Sequence, residues 1–458
     1  MSFLALLAAP LLVVAQLVGD AVPEEHPPLT WSRCTSSGSC TDVTGSIVLD
    51  AEHRWLRLNG TWENCYYGGT RWTGGGTWDN CDSNADCTAK CALEGADSTY
   101  DRQMDFEDKL IRMRYYQYAD FSEYMNTRVF LMESGSEERY EMFELLGNEL
   151  SFEVDLGSVP CGLNAALRFV AMDQDGGVGR YEGQKAGARY GTGYCDASCP
   201  RSLRWVAGEA NMEGWMPSAY DPNGGEGDRG ACCSEMAVWN SNSISYALES
   251  RPCIQHEYEP CYEDVCDPER YGNDIRNRNC ARNGCETNPY RIGNPDFYGP
   301  DKVVNTSTPF TVITQFRESG IKQFFIQDGK KIEPPAPSWE DLPDAEGGIN
   351  EEYCYAAPDV FAERDVFNEV GGWEQHNDAL RRPMVLTMSI QDDYWAYNLW
   401  LDGEAYPTDA DPTLPGYKRG TCGLEESDPY WVASSKRNAA VSFSNIRFGP
   451  IGSTVDAE

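Results

Sequence analysis

The sequence predicts an all-β protein, a large β-sandwich with long loops, and three observations lead to this fold class. Short apolar runs and alternating apolar–polar runs recur along the chain, as in strands. Helical periodicity is weak and is confined to short segments. The 18 cysteines and the long loops rich in Gly, Pro and Asp are typical of a disulfide-stabilised β fold. A two-domain β protein is the alternative at this length.

The strand predictions rest on local patterns along the chain. A Gly-Asn step divides the segment 140–156 into two alternating runs, and Asp328-Gly329 is a hairpin turn signal for the segments 309–316 and 321–333. The predicted strands cover residues 128–132, 140–156, 166–173, 309–316, 321–333, 384–390 and 439–448. Helices are predicted at 84–95, ended by Gly95, and at 243–250.

The N-terminal residues 1–15 are apolar and uncharged. Val13 and Ala15 occupy the −3 and −1 positions of a signal-peptidase site, so we predict a secretory signal peptide and a mature chain that starts at Gln16. A membrane anchor is the alternative, but the stretch is shorter than the ~20 residues of a membrane span. We therefore expect a secreted, extracellular protein. The sequons at Asn59 and Asn305 predict glycosylation, in keeping with secretion.

The cysteine count is even, which in an exported chain indicates disulfides. Metal binding is the alternative, because Cys87/Cys91, Cys195/Cys199 and Cys261/Cys266 have loosely zinc-like spacings. Only four histidines are present, and none is in register with these cysteines. We expect no metal and no cofactor.

The net charge of −36 argues against a nucleic-acid partner, because binding to phosphates depends on Lys and Arg. It also disfavours anionic membrane surfaces and favours a neutral partner. The chain has 13 Trp and 25 Tyr, many for a polar protein, and flat aromatic faces stack on sugar rings. We expect a monomer that binds a neutral carbohydrate.

The segment "ACCSEMAVWNSNS" (231–243) carries one carboxylate, Glu235, beside a vicinal cysteine pair and a tryptophan. Such a placed carboxylate is a candidate catalytic group. Glycosidic hydrolysis usually needs two carboxyl groups, so a second one has to be found.

Ten motifs spread over the chain resemble glycoside hydrolase family 7, the secreted cellulases of the cellobiohydrolase and endoglucanase type. The motifs are "EEHPPLTW" (24–31), "SIVLDAEHRW" (46–55), "FELLGNELSFEVDL" (143–156), "PCGLNAALRFVAMDQDGG" (160–177), "YGTGYCDASCPR" (190–201), "GEANMEGW" (208–215), "CCSEM" (232–236), "NPYRIGN" (288–294), "NLWLDGEAYPT" (398–408) and "FSNIRFGPIGST" (443–454). The resemblance implies a single domain over 16–458, a two-sheet β-jelly roll whose concave face holds a β-1,4-glucan chain. We expect no separate cellulose-binding module in this chain.

The resemblance also implies a disulfide framework that uses all eighteen cysteines. The implied pairs are Cys34–Cys40, Cys65–Cys91, Cys81–Cys87, Cys161–Cys422, Cys195–Cys233, Cys199–Cys232, Cys253–Cys280, Cys261–Cys266 and Cys285–Cys354.

The catalytic strand of the family has the pattern Glu, any residue, Asp, any two residues, Glu. The first Glu is the nucleophile, the Asp is the auxiliary carboxylate, and the last Glu is the general acid/base. This chain has Glu235, Ala237 and Asn240 at these positions. The nucleophile is kept, whereas the acid/base and the auxiliary carboxylate are replaced. An asparagine amide cannot protonate the leaving oxygen or activate water. The candidates for a substitute acid are Glu209, Glu213, Asp392 and Asp393. Their spacing from Glu235 in the sequence does not require this role of any of them.

The resemblance assigns a set of cleft positions to sugar binding. They are Trp55, Asn164, Tyr194, Asp196, Gln391, Asp392, Trp400 and Arg419. Trp400 matches a tryptophan platform on the leaving-group side, and Arg419 matches an arginine near the product side. Several positions depart from the family pattern: Gln391 replaces a tryptophan, Arg168 a tyrosine, Arg251 a histidine, Asn283 an aspartate and His53 an aromatic residue.

Two classes of function follow. The first is a β-1,4-glucan hydrolase of the retaining type, weakened by the loss of its acid/base. The second is a secreted carbohydrate-binding pseudoenzyme without turnover. A structural wall component with an idle cleft is a third, less favoured hypothesis.

Overall fold

The computed structural model describes residues 15–69, 73–119, 122–266, 279–409 and 411–455. The predicted signal peptide therefore lies, apart from Ala15, outside the described residues. None of the helices in these ranges is long and apolar enough to span a membrane.

Strands dominate the described chain. They are β1 Leu17–Val18, β2 Pro28–Ser36, β3 Ser39–Leu49, β4 Leu56–Leu58, β5 Tyr66–Tyr67, β6 Thr77–Trp78, β7 Cys91–Leu93, β8 Met104–Glu107, β9 Leu110–Arg114, β10 Tyr116–Ala119, β11 Ser122–Met125, β12 Thr127–Met132, β13 Met142–Phe143, β14 Asn148–Asp155, β15 Asn164–Val170, β16 Trp205–Val206, β17 Glu209–Ala210, β18 Met216–Pro217, β19 Gly225–Glu226, β20 Arg229–Cys232, β21 Glu235–Ser241, β22 Tyr246–Arg251, β23 Glu259–Tyr262, β24 Cys285–Thr287, β25 Tyr298–Gly299, β26 Val304–Asn305, β27 Phe310–Arg317, β28 Gly320–Gln327, β29 Lys330–Ile332, β30 Met384–Gln391 and β31 Ala440–Pro450.

Helices are few and short. The α-helices are α1 Asn84–Lys90, α2 Asp97–Gln103, α3 Glu351–Val360, α4 Val366–Glu369, α5 Gly372–Leu380, α6 Leu399–Asp402 and α7 Pro429–Ser435, and 3-10 turns cover Ala51–His53, Ala188–Tyr190 and Glu263–Val265.

The largest sheet has 16 strands, and its main path runs β24-β22-β21-β15-β30-β12-β3-β2-β31-β14-β27-β28-β29. The two halves of this path face each other across an aromatic core. Trp239 of β21, in the first half, contacts Phe152, Phe310 and Phe325 of β14, β27 and β28 in the second half. The all-β, jelly-roll prediction is confirmed, because strands dominate the structure and pack in two layers.

The predicted strands appear in the structure with small shifts of their bounds, but three local predictions were wrong. The helix predicted at 84–95 ends at Lys90, where the chain continues as β7. The Asp328-Gly329 turn joins β28 to β29, not β27 to β28. The segment 243–250 contains the strand β22 instead of a helix. Pairing of β22 with β21 and β24 satisfies its backbone on both sides and overrides its weak helical periodicity.

Nine disulfides join the cysteines in the same pairs that the resemblance implies. Of the two sequons, Asn59 is exposed at a turn. The Asn305 side-chain oxygen accepts hydrogen bonds from the backbone N–H groups of Asp301 and Ser307.

Candidate functional site

The candidate site lies on one face of four adjacent strands, β22, β21, β15 and β30. Arg168 of β15 pairs directly with Ala237 of β21, and Ala237 pairs in turn with Glu249 of β22. Directly paired residues project from the same face of a sheet. The side chains of Arg168, Ala237 and Glu249 therefore share this face with Glu235, two residues before Ala237.

A β-bulge brings Asn240 to the same face. Ala237 and Asn240 are three residues apart on β21, but their partners on β22, Glu249 and Ala247, are only two apart. The extra residue reverses the alternation, so Asn240 faces the site instead of the core. This bulge is the physical basis of the spacing between positions 235, 237 and 240.

Glu235 is 2% exposed and lies between two arginines. Arg168 donates from Nη1 to Oε1 at 3.0 Å, and Nη1 of Arg251 lies 3.6 Å from Oε2. Both oxygens of the candidate nucleophile therefore face guanidinium groups.

Arg168 also binds Asn240, which stands at the position that the resemblance assigns to the acid/base. Its Nε and Nη2 donate to Oδ1 of Asn240 at 3.0 and 2.7 Å, and Nδ2 of Asn164 donates to the same oxygen at 3.1 Å. A single guanidinium thus joins Glu235 to Asn240. In a retaining glycosidase these two positions hold carboxyl groups that act on the bond between them.

Glu249 is a site residue that the sequence analysis missed. It is 2% exposed, and its Oε1 lies 2.6 Å from Nε of Arg251. Burial raises the pKa of Glu249 to about 7, against the lowering effect of Arg251, and the nearby Glu286 and Glu235 carboxylates raise it further. A carboxyl group thus lies directly opposite Ala237, the position that the resemblance assigns to the auxiliary aspartate. Because a helix was predicted over 243–250, the pairing of Glu249 with Ala237 on adjacent strands was not expected.

The raised pKa of Glu249 makes stability depend on pH with a defined sign. The folded state holds the Glu249 proton more tightly than the unfolded state, so this contribution is full below about pH 4.5 and is lost as pH rises through about 7. Glu249→Gln removes that titration. The free energy of unfolding of the variant, relative to the natural chain, should rise by roughly 2 kcal/mol between about pH 5 and about pH 8, measured by denaturant unfolding.

The matched control is Glu209→Gln, because Glu209 is exposed and paired with Arg229 at the surface. Its effect should be the same at both pH values. An equal pH response of the two variants would show that Glu249 titrates normally.

Beside Glu235, Tyr194 and Asp196 are joined by a hydrogen bond. Tyr194 donates its hydroxyl to Asp196 at 2.7 Å, and the Arg128 guanidinium lies 3.3 Å from the Tyr194 ring centroid. Burial tends to raise the pKa of Asp196, but hydrogen bonds from Ser198 and Tyr194 and the charge of Arg128 hold it below its usual value. Asp196 is therefore an ionised structural acceptor.

The outer positions have different environments. Trp55, Gln391 and Trp400 are half-buried, whereas Arg419 is 4% exposed and is bound by Glu286 and by Glu363 at 3.1 Å. The Arg419 charge is thus already compensated within the protein, which leaves it less able to bind sugar than the resemblance implies.

The four substitute acids have other partners. Glu213 accepts from the backbone and side-chain nitrogens of Asn84 at 3.3 Å. Asp392 accepts from Tyr115 and Asn126 at 2.6 and 2.7 Å, and burial raises its pKa to about 7. Asp393 binds the backbone N–H groups that follow it. Within the described ranges, no hydrogen bond or ion pair joins any of the four to Glu235.

Comparison with known proteins identifies the family of this chain. The family model described as glycosyl hydrolase family 7 matches residues 18–455. The chain belongs to glycosyl hydrolase family 7.

Solved family 7 structures resemble the chain over nearly its whole length. A cellobiohydrolase from Melanocarpus albomyces complexed with cellotetraose is 45% identical, with a TM-score of 0.90 over 96% of this chain and 100% of that chain. A family 7 cellobiohydrolase from Daphnia pulex is 36% identical, with the same TM-score and coverage. The Humicola insolens endocellulase EGI is 30% identical, with a TM-score of 0.77 over 95% of this chain and 100% of that chain.

Four residues that differ from those the resemblance implies lie together around Glu235 in this family 7 chain. They are Arg168, Ala237, Asn240 and Arg251, and all four lie on the same sheet face as Glu235. Arg168 and Arg251 bind the retained Glu235. Arg168 contacts Asn240 directly, and Glu235 lies between Arg168 and Arg251.

Proposed function

We propose that this protein is a secreted family 7 protein that binds β-1,4-glucan in its cleft and hydrolyses it weakly or not at all. The observation that carries the proposal is the Arg168 guanidinium between Glu235 and Asn240. A nucleophile has to present a free lone pair to the anomeric carbon, and the leaving oxygen has to receive a proton. Here the nucleophile is engaged by cations, and its partner is an amide.

Support for sugar binding comes from unpartnered polar atoms on the same face. Oε2 of Glu235, Nδ2 of Asn240 and Oε2 of Glu249 are buried without a hydrogen-bond partner among the described residues. Each such atom costs about 1–3 kcal/mol. They offer one donor and up to two acceptors, which sugar hydroxyls can satisfy because a hydroxyl both donates and accepts.

Titration calorimetry with cellotetraose, the ligand of the Melanocarpus relative, tests binding. We expect a dissociation constant of about 10⁻⁶ M. Trp400→Ala should weaken it by about fivefold or more, since an aromatic contact contributes about 1 kcal/mol. Absence of heat at millimolar cellotetraose would refute the binding proposal.

A second assay separates a binding protein from a slow enzyme. An aryl cellobioside with a good leaving group needs little protonation, so a nucleophile that still functions would release the aryl group even without an acid. We expect no release, because both oxygens of Glu235 face arginines. Release from this substrate but not from cellulose would indicate a weakened hydrolase instead.

Slow hydrolysis is the second candidate function, and Glu249 favours it. Its carboxyl lies on the face of Glu235, carries a proton near neutral pH because burial raises its pKa to about 7, and contacts the same arginine as Glu235. If aryl release is observed with cellulose hydrolysis, Glu249→Gln should abolish the cellulose reaction and spare the aryl reaction.

A further inference from the structure

Three Asn-Gly steps occur in the sequence. They are Asn59-Gly60, Asn223-Gly224 and Asn283-Gly284. The asparagine is exposed in all three. Such a step can modify itself, because glycine has no Cβ atom to obstruct the approach of its backbone nitrogen to the preceding side chain. Since the three steps are alike in sequence and in exposure, their surroundings in the fold decide which of them can react.

The reaction is the loss of the asparagine side-chain amide. The glycine backbone nitrogen attacks Cγ of the asparagine, a new N–C bond forms, and the Cγ–Nδ2 bond breaks. Nδ2 leaves as ammonia and takes up the proton that the backbone nitrogen gives off. Water then opens the cyclic imide at either of its two carbonyl carbons, which produces aspartate or isoaspartate. Water is therefore the only co-reactant, and the chain gains a negative charge.

The glycine nitrogens differ in their hydrogen bonds. The backbone N–H of Gly224 donates to the carbonyl of Asp221 at 3.2 Å, and that of Gly284 donates to the carbonyl of Ala281 at 3.0 Å. Each of these bonds has to break before the nitrogen can attack. Within the part of the chain that the structure describes, the Gly60 N–H makes no hydrogen bond. Gly60 therefore has the nitrogen that is readiest to react.

The space around the three glycines differs in the same direction. A Cβ atom placed on Gly284 would lie 2.3 Å from the Ser250 carbonyl oxygen, and one placed on Gly224 would lie 2.5 Å from Oδ2 of Asp221. A Cβ atom on Gly60 would have no described neighbour within 4 Å. The imide forms by folding the asparagine side chain over the glycine backbone, which needs open space. Only the Asn59 step, of these three, offers it.

The loop that carries Asn59 is closed outside the reacting residues. The backbone N–H of Leu58 donates to the carbonyl of Glu63 at 2.8 Å. This bond joins the two ends of the loop and does not involve Asn59 or Gly60. A change of the backbone between these two residues should therefore stay within the loop, and the product should remain folded.

We propose that Asn59-Gly60 is a modification site at which the folded protein converts Asn59 to aspartate or isoaspartate, whereas the fold protects the other two Asn-Gly steps. A glycan on Asn59 would be bonded to the same Nδ2 atom that the reaction expels. Glycosylation and this conversion therefore compete for one atom, and conversion also destroys the sequon. The proposal does not depend on the proposed function or on the cleft.

Peptide mapping by mass spectrometry tests the proposal. The full chain is produced in the presence of tunicamycin, which blocks N-glycosylation, and is kept folded in mildly alkaline buffer. We expect the unmodified Asn59 peptide to disappear at least about fivefold faster than the Asn223 and Asn283 peptides, the factor that one hydrogen bond contributes. The control is the same chain with its disulfides reduced, in denaturant. There the three peptides should disappear at similar rates, because the contacts of the fold are gone.

A pair of variants gives an independent measurement. Ion-exchange chromatography of the aged, folded protein should show a more acidic form that is absent in Asn59→Gln, because glutamine would have to form a larger ring. The matched variant Asn223→Gln should keep this form. Equal loss of the three peptides in the folded protein would overturn the proposal, as would an acidic form that persists in Asn59→Gln. A preference for Asn59 that remains in denaturant would also overturn it, because local sequence would then be the cause.

Discussion

Hydrolysis of cello-oligosaccharides is expected to rise by about 10²–10⁴ when Arg168→Tyr, Ala237→Asp and Asn240→Glu are combined in one chain. The carboxyl at position 240 supplies the missing proton donor, and the one at 237 orients Glu235. The change at 168 is required because the guanidinium contacts both Glu235 and Asn240. Product release from cellotetraose, measured by chromatography, gives the rate.

The control is the double variant Ala237→Asp with Asn240→Glu, which keeps Arg168. In this variant the new Glu at 240 should form an ion pair with the Arg168 guanidinium, which now lies 2.7 Å from the Asn240 oxygen. An ion pair stabilises the deprotonated carboxylate and impairs it as an acid. We expect the double variant to remain near the natural rate. A triple variant no faster than the double would mean that the loss of activity extends beyond these contacts.

Removal of the Cys161–Cys422 disulfide should give the largest loss of stability. The bridge closes a loop with a sequence separation of 261, and the loop-entropy model gives about 5.5 kcal/mol for a loop of this length. It also fixes the end of β15, where the backbone N–H of Gly162 donates to Asp402 at 3.1 Å. The free energy of unfolding of Cys161→Ser with Cys422→Ser, from denaturant titration, measures the effect.

The comparison for this prediction is Cys34→Ser with Cys40→Ser, a bridge with a sequence separation of only 6. The same model gives about 2 kcal/mol for its removal. If the two pairs of substitutions lower the free energy of unfolding equally, these bridges do not stabilise the protein by restricting the unfolded chain.

Much of the fold could be predicted because local sequence patterns indicate its strands. The strand signals in 309–316 and 384–390 come from runs of apolar residues, and the structure has the largely buried strands β27 and β30 there. The prediction of a helix over 243–250 was wrong for the opposite reason. Its eight residues have no decisive period, and pairing with β21 and β24 determines its conformation.

The prediction that position 240 lacks an acid/base rests on residue identity alone, because an amide is too weak an acid to protonate a leaving oxygen at any geometry. The role of Arg168 could not be predicted in this way. It is separated from Glu235 by 67 residues and from Asn240 by 72, and its contacts exist only because β15 and β21 are adjacent in a particular register. Glu249 was missed for the same reason.

The sequence by itself determined the fold class, the family resemblance with its cysteine pairs, and the presence of an amide, Asn240, where the resemblance implies the acid/base. Only the tertiary structure decided what surrounds Glu235, which is bound by Arg168 and Arg251, with Glu249 opposite Ala237. The reason is physical. Residue identity limits which chemistry a side chain can perform, but strand register and a single β-bulge decide which side chains meet.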